Sequence, residues 1–222
     1  MIDTQKKFLF IHIPKTAGTS ITTALKGQRS HKSLRHYLPL KCRQIPKLLI
    51  GSNQNIIDYA RIRITSWDVR NRSSGIWAKK VPMIDSDYKT FSVVRNPWTR
   101  VVSFYQALIR HPPTRRISGI PEGIEFEEFL LKYASRCRHL RPQMHWLINW
   151  DGRIDFDFIA KQENLQEDWK KICNLLELDL DLPFINASSD ASSWKDYYTP
   201  FSRQLIAKRY REEINQFGYT FE

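Results

Sequence analysis

Cysteine is scarce in this chain of 222 residues: Cys42, Cys137 and Cys173 are odd in number and far apart. No C-x-x-C pair or His-rich spacing beside them suggests a zinc site, and free thiols in a reducing compartment are expected. Long apolar runs are missing too. The one nearest the N-terminus, Phe8-Leu9-Phe10-Ile11, gives way to the polar His12. It is too short for the apolar core of a secretory leader and far too short to span a bilayer. A cytoplasmic protein with no transmembrane segment is the expectation. Repeats and low-complexity tracts are absent, so a single domain over residues 1–222 is the simplest organisation. Acidic residues are the minority charge, 23 Asp plus Glu against 35 Lys plus Arg, for a net charge of +12. Such an excess raises the local concentration of anionic ligands. The basic residues are spread along the chain, and no DNA- or RNA-binding motif accompanies them, so nucleic acid is not the expected partner.

What is present is a pattern around the first apolar run. Phe8-Leu9-Phe10-Ile11, bounded by Lys6-Lys7 and Pro14, has the make-up of a strand covered on both faces, as in a parallel sheet between helix layers. It leads into His12-Ile13-Pro14-Lys15-Thr16-Ala17-Gly18-Thr19-Ser20. Here Gly18 is expected to let the backbone turn and approach a ligand closely. Thr19 and Ser20 stand where helix N-caps are favoured and where free N–H groups point outward. Lys15 adds a positive charge on a flexible stem, and the hydroxyls of Thr16, Thr19 and Ser20 can donate to the same oxygens. The expectation is a phosphate-cradling loop running from Lys15 through Thr16, Ala17, Gly18, Thr19 and Ser20. It is not the Walker A pattern G-x-x-x-x-G-K-[ST], because the lysine precedes the glycine and no glycine opens the loop.

A second segment, Thr90-Phe91-Ser92-Val93-Val94-Arg95-Asn96-Pro97-Trp98-Thr99-Arg100-Val101-Val102-Ser103, reads as another buried strand, a stop at Asn96-Pro97 and then a helix. Arg95 therefore falls at the carboxyl end of a strand, where open α/β sheets place their ligands. Thr99 and Ser103 share a helix face, so Ser103 can point back toward that strand end and form, with Arg95, a clamp for a second phosphate.

The order Pro-Lys-Thr-x-Gly-Thr-Ser in the first segment resembles the 5′-phosphosulfate loop of sulfotransferases that use 3′-phosphoadenosine 5′-phosphosulfate (PAPS), in particular the carbohydrate branch. The second segment resembles the R-N-P-x-x-R-x-x-S pattern that binds the donor's 3′-phosphate in that family, which implies this role for Arg95 and Ser103. The resemblance implies an α/β fold of three layers, a central parallel sheet with a P-loop-like phosphate-binding loop, flanked by helices. It also implies PAPS as donor co-substrate and a hydroxyl-bearing acceptor, a glycan or glycolipid. Animal glycan sulfotransferases of this kind carry a membrane anchor, and its absence from a chain starting at Met1 favours a bacterial-type, soluble relative.

Elsewhere the pattern is coarser. A helix is expected over Thr19 to Leu25, a proline- and glycine-bearing loop from His111 to Gly123, a strand at Phe156-Asp157-Phe158-Ile159, and helices from Glu163 to Leu178 and from Thr199-Pro200 onward. Residues 51–89 resist assignment and are the candidate region for acceptor recognition. The small-residue stretch from Ser188 to Tyr198 is a candidate lid.

Sulfuryl transfer needs the acceptor hydroxyl in line with the departing phosphate, a charge to offset what grows on the bridging oxygen, and a group to take a proton. Lys15 suits the second task. For the third, His31 in Ser30-His31-Lys32-Ser33 is the first choice, since it resembles an H-x-[ST] segment of bacterial members; His36 comes next, and Glu163 is a carboxylate alternative. Sulfuryl transfer requires no metal, and no carboxylate pair suited to magnesium follows the first loop. Two other classes stay open on the residues: a P-loop-like nucleotide kinase, and a noncatalytic binder of anionic glycan or nucleic acid.

Overall fold

The structure is a computed structural model and describes residues 2–3, 6–26, 88–148, 153–183 and 194–222. In chain order the elements are β1 (Ile2–Asp3), β2 (Phe8–Ile11), α1 (Gly18–Lys26), β3 (Lys89–Val94), α2 (Pro97–Arg110), α3 (Pro112–Ile117), α4 (Phe126–Lys132), α5 (Met144–Leu147), β4 (Phe158–Lys161), α6 (Leu165–Leu176), α7 (Pro200–Arg209) and α8 (Arg211–Phe217).

The four strands lie side by side in the order β1-β2-β3-β4. β2, β3 and β4 are parallel, with Phe10 opposite Phe91 and Phe91 opposite Phe158, and β1 adds an antiparallel edge. The fold is therefore α/β on a parallel sheet, as the two apolar runs implied. Every residue of β2 is buried, the signature of a strand with both faces covered.

Alternation along the strands divides the interior in two. Toward one face, Phe8, Phe10, Phe91, Val93 and Ala160 pack against Ile21 and Leu25 of α1 and Trp169, Ile172 and Leu176 of α6; the rings of Phe10 and Phe91 stack with centroids 4.9 Å apart. Toward the other, Val94 and Ile13 meet Trp98, Val101, Val102, Phe104 and Leu108 of α2, with Phe126, Phe129, Ile206 and Tyr210 behind them. The helical spacing of those α2 residues, with Thr99 and Ser103 between them, leaves a polar flank on the same helix.

Local chemistry sets the boundaries. Asn96 caps α2 by accepting from the Trp98 N–H at 3.1 Å, and Pro97 supplies the first helical residue. Thr199 and Ser202 form a reciprocal capping box at the start of α7, where Pro200 follows the cap. Four expectations need correction. The segment from His111 to Gly123 is not loop throughout: Pro112–Ile117 is helical, its prolines at the start and the His111 ring accepting from the Thr114 N–H at 3.3 Å. The strand expected at Phe156 begins at Phe158, and the helix expected from Glu163 begins at Leu165 after one tighter turn. The last helix breaks at Tyr210 into α7 and α8.

Candidate functional site

Both sequence segments end at the same edge of the sheet. β2 and β3 are parallel neighbours, so the loop that follows Ile11 and the residue that follows Val94 leave the sheet side by side. Pro14 to Ala17 form the first; Arg95 begins the second.

The turn in the loop is not made by Gly18. Lys15 and Ala17 carry it, in the left-handed region with φ of 71° and 60°, at a cost of about 1 kcal/mol or more each for side chains with a Cβ. Surrounding bonds hold them there. Thr16 Oγ1 donates to the Ile13 carbonyl at 2.8 Å, so the buried Thr16 hydroxyl is turned into the loop instead of outward. The Ile21 N–H reaches the Ala17 carbonyl at 3.2 Å. Gly18 is the first residue of α1, and its role is spatial: a Cβ there would stand 1.9 Å from His12 Nε2 and 2.0 Å from His12 Cδ2. The His12 ring occupies that room, stacked on Phe10 at 5.9 Å. Thr19 and Ser20 follow Gly18 in the first turn of α1. Thr19 is exposed, Ser20 buried.

Two arginines grip the loop from the α2 side. Arg100, fully buried, donates from Nε to the Pro14 carbonyl at 3.1 Å; its Nη1 and Nη2 reach the Arg141 carbonyl at 3.1 and 3.0 Å, and Nη2 also reaches His139 O at 2.7 Å. Arg95 donates from Nε to Thr99 Oγ1 at 3.0 Å and from Nη1 to the Lys15 carbonyl at 3.4 Å. Its Nη2 has no hydrogen-bond partner among the described residues. Two side chains collar the main chain of Arg95 and Asn96, the Gln143 amide on Arg95 and the Glu163 carboxylate on the Asn96 N–H at 2.6 Å, while the Asn96 side chain donates from Nδ2 to the Thr220 main-chain carbonyl at 2.7 Å.

Positive charge accumulates here. Burial, followed by the nearby charges of Arg95 and Arg110, pushes Lys15 below the ordinary lysine range. Burial likewise lowers Arg95 to about 10; the charge of Arg100 adds to that shift, and Glu163 works against it. An anion bound between such cations favours their charged forms and works against both shifts.

Of the residues expected in the site, Lys15, Thr16, Ala17, Gly18, Thr19, Ser20 and Arg95 converge at this edge. Ser103 lies on α2, half-buried, and makes no hydrogen bond with another described residue; Thr99 is the hydroxyl in contact with Arg95. His31 and His36 lie outside the described residues, as do Cys42 and most of the region expected to recognise the acceptor. Glu163, the carboxylate alternative for the base, accepts from the Asn96 N–H through Oε1. Of the candidate lid, residues 188–193 are outside the described residues, while Trp194 and Tyr198 pack on Phe221 and Tyr198 Oη donates to the Trp98 carbonyl at 2.9 Å, anchoring that end to α2. Arg100, Gln143 and Glu213 went unrecognised in the sequence. Arg100 falls within the R-N-P-x-x-R-x-x-S pattern and carried a signal; Gln143 and Glu213 carried none.

Among the described residues no helix is long and apolar enough to cross a membrane, and no group of three His, Cys, Asp or Glu side chains is placed to hold a metal ion. Comparison with curated proteins and with solved structures gave no match. A family model described as Sulfotransferase family matches residues 1–220, nearly the whole chain. With its two anion-suited segments brought to one edge of a parallel sheet, the chain belongs to the sulfotransferase family.

Proposed function

We propose that this enzyme transfers the sulfuryl group of PAPS to a hydroxyl of a carbohydrate acceptor, a glycan or glycolipid, by in-line displacement. The observation that carries this reading is the meeting of Lys15 and Arg95 at the carboxyl ends of adjacent parallel strands, with Arg95 Nη1 on the Lys15 carbonyl. A donor with phosphate at both ends of a ribose fits two cationic poles held on one edge. In this reading the loop is P-loop-like. Left-handed Lys15 and Ala17 alternate with ordinary residues, the arrangement that turns successive main-chain N–H groups toward an anion. The amides of Thr16, Ala17, Gly18, Thr19 and Ser20, at the start of α1, cradle the 5′-phosphosulfate. Arg95, with a free Nη2, and Ser103 take the 3′-phosphate.

The chemistry assigned to these residues is electrostatic. The Lys15 ammonium offsets charge developing on the bridging oxygen as the sulfur–oxygen bond breaks, a contact stronger in the transition state than in the ground state. Arg95 binds the far end of the donor. His31 remains our first choice as the base that takes the acceptor proton, with His36 next. The free thiols of Cys137 and Cys173 suit a reducing, cytoplasmic setting.

The test is transfer of radiolabelled sulfate from PAPS to glycan, lipid and metabolite fractions. Label should enter a hydroxyl-bearing glycan fraction with wild-type protein and fall by a factor of about 100 or more with Lys15→Ala. Label that enters no fraction, or enters it equally well with Lys15→Ala, contradicts the proposal.

A further inference from the structure

Arg95 stands one residue beyond the ladder that joins β3 to its neighbours, because the pairing of β3 with β2 ends at Ser92 and that with β4 ends at Val94. Its main-chain N–H and C=O therefore need partners from outside the sheet. Both are supplied by a single side chain. Gln143 Oε1 accepts from the Arg95 N–H at 2.8 Å, and Gln143 Nε2 donates to the Arg95 carbonyl at 2.7 Å. A planar amide that gives one bond and receives one reproduces what an antiparallel strand neighbour would offer.

Gln143 is itself fixed. It is fully buried, and the equally buried Glu213 accepts from its main-chain N–H and, at 2.9 Å, from its Nε2. The carboxylate thus dictates which way round the amide sits, with nitrogen toward Glu213 and the Arg95 carbonyl, and oxygen toward the Arg95 N–H. Glu213 also lies within electrostatic reach of Arg100, whose Nε holds the Pro14 carbonyl. Arg100 in turn donates to the Arg141 carbonyl, two residues before Gln143, so the segment that holds Arg95 and the loop at Pro14 share a buried neighbour. Burying a carboxylate and an amide is costly unless all their bonds are made. An apolar residue at 143 would leave the Arg95 N–H and C=O without these bonds, so the polar pair serves the main chain of Arg95 as well as packing.

We propose that Gln143, oriented by Glu213, is a positioning residue of the donor site, setting the main chain of Arg95 so that its guanidinium meets the donor's 3′-phosphate. This rests on the donor reading above. Neither residue touches the reacting atoms. Their loss should therefore appear in donor affinity and leave turnover at saturating donor nearly intact.

The experiment titrates adenosine 3′,5′-bisphosphate into the wild type, Gln143→Leu, Gln143→Met and, as a control on the exposed face of α6, Gln166→Leu, with donor KM and kcat measured alongside. Two lost bonds to one main-chain unit predict a bisphosphate Kd and a donor KM raised about tenfold or more in folded Gln143 variants, kcat within about threefold, and no change for Gln166→Leu. Wild-type affinity in a folded Gln143 variant, or an equal loss of kcat at saturating donor, overturns the proposal. Hydrogen exchange of the Arg95 amide decides the matter where the variants do not fold or where wild type fails to bind the bisphosphate. In the wild type that amide should be as protected as those of Phe91 and Val93 in β3, and exchange at open-loop rates would overturn the positioning role. Failure of wild-type binding with a protected Arg95 amide would refute the donor reading and leave the collar around Arg95 standing.

Discussion

Replacing Gly18 by alanine tests how the loop is built. Two opposing effects are at work. Alanine is favoured over glycine in a helix by about 1 kcal/mol, less at a first position such as this one. Against this, a Cβ at residue 18 would lie 1.9, 2.0 and 2.7 Å from three atoms of the His12 ring, which must leave. Eviction forfeits the stacking of His12 on Phe10, worth about 0.5–1.5 kcal/mol, although the residue is exposed and the ring can turn toward solvent. The single substitution should therefore change unfolding free energy by no more than about 1 kcal/mol, a result that is ambiguous by itself. The informative quantity is the double-mutant cycle with His12→Ala. With the ring gone, Gly18→Ala should be neutral or stabilising, so the two substitutions should show a coupling of about 1 kcal/mol by urea denaturation. Additivity to within about 0.3 kcal/mol would show that Gly18 does not serve to admit His12.

Three further outcomes follow from the geometry. Arg100→Met should cost about 2–4 kcal/mol in urea unfolding, since it strands the buried carbonyls of Pro14, His139 and Arg141, and a loss under 1 kcal/mol would refute the bracing role. Thr199→Ala should lower stability by about 1 kcal/mol by removing one side of the capping box on α7, and an unchanged urea midpoint would contradict that assignment. Lys15 gives a pH dependence. Its pKa in the folded, ligand-free protein lies below the ordinary 10.5, so the charged lysine opposes folding at neutral pH, and this penalty fades as pH rises from the depressed value toward 10.5. Lys15→Met should accordingly melt above wild type at pH 7, the gap closing by pH 10.5, whereas a pH-independent gap would show that charge is not its cause.

How much of this was legible in the sequence depends on the range of the interaction. Phe8-Leu9-Phe10-Ile11 and Phe91-Ser92-Val93-Val94 announced buried parallel strands because burial on both faces leaves a continuous apolar run, and their ends placed Lys15 and Arg95 correctly on one edge. Asn96-Pro97 and Thr199-Pro200 announced helix starts because capping is local chemistry. The loop was misread where conformation departed from residue preference: left-handed φ at Lys15 and Ala17 is imposed by bonds to Ile13, Pro14 and Lys15 carbonyls, and neither residue type advertises it. The helix at Pro112–Ile117 was obscured because two prolines suggest a break, although at a helix start they cost nothing. Arg100 and Glu213 look like surface charges in sequence. Only the arrival of chain segments 39 to 113 residues away from Arg100 makes them core, and the partnership of Gln143 with Arg95, 48 residues distant, is equally invisible locally.

Calorimetric titration with adenosine 3′,5′-bisphosphate, set beside ATP with magnesium and a heparin-like glycan, bears most directly on whether Lys15 and Arg95 form a two-phosphate site. Wild type should bind the bisphosphate without metal and in preference to ATP, and Arg95→Ala should weaken that binding by about 1.5–3 kcal/mol, or some 10- to 150-fold, the worth of charge-assisted bonds lost from one phosphate. No heat with the bisphosphate, or stronger magnesium-dependent binding of ATP, would contradict the assignment.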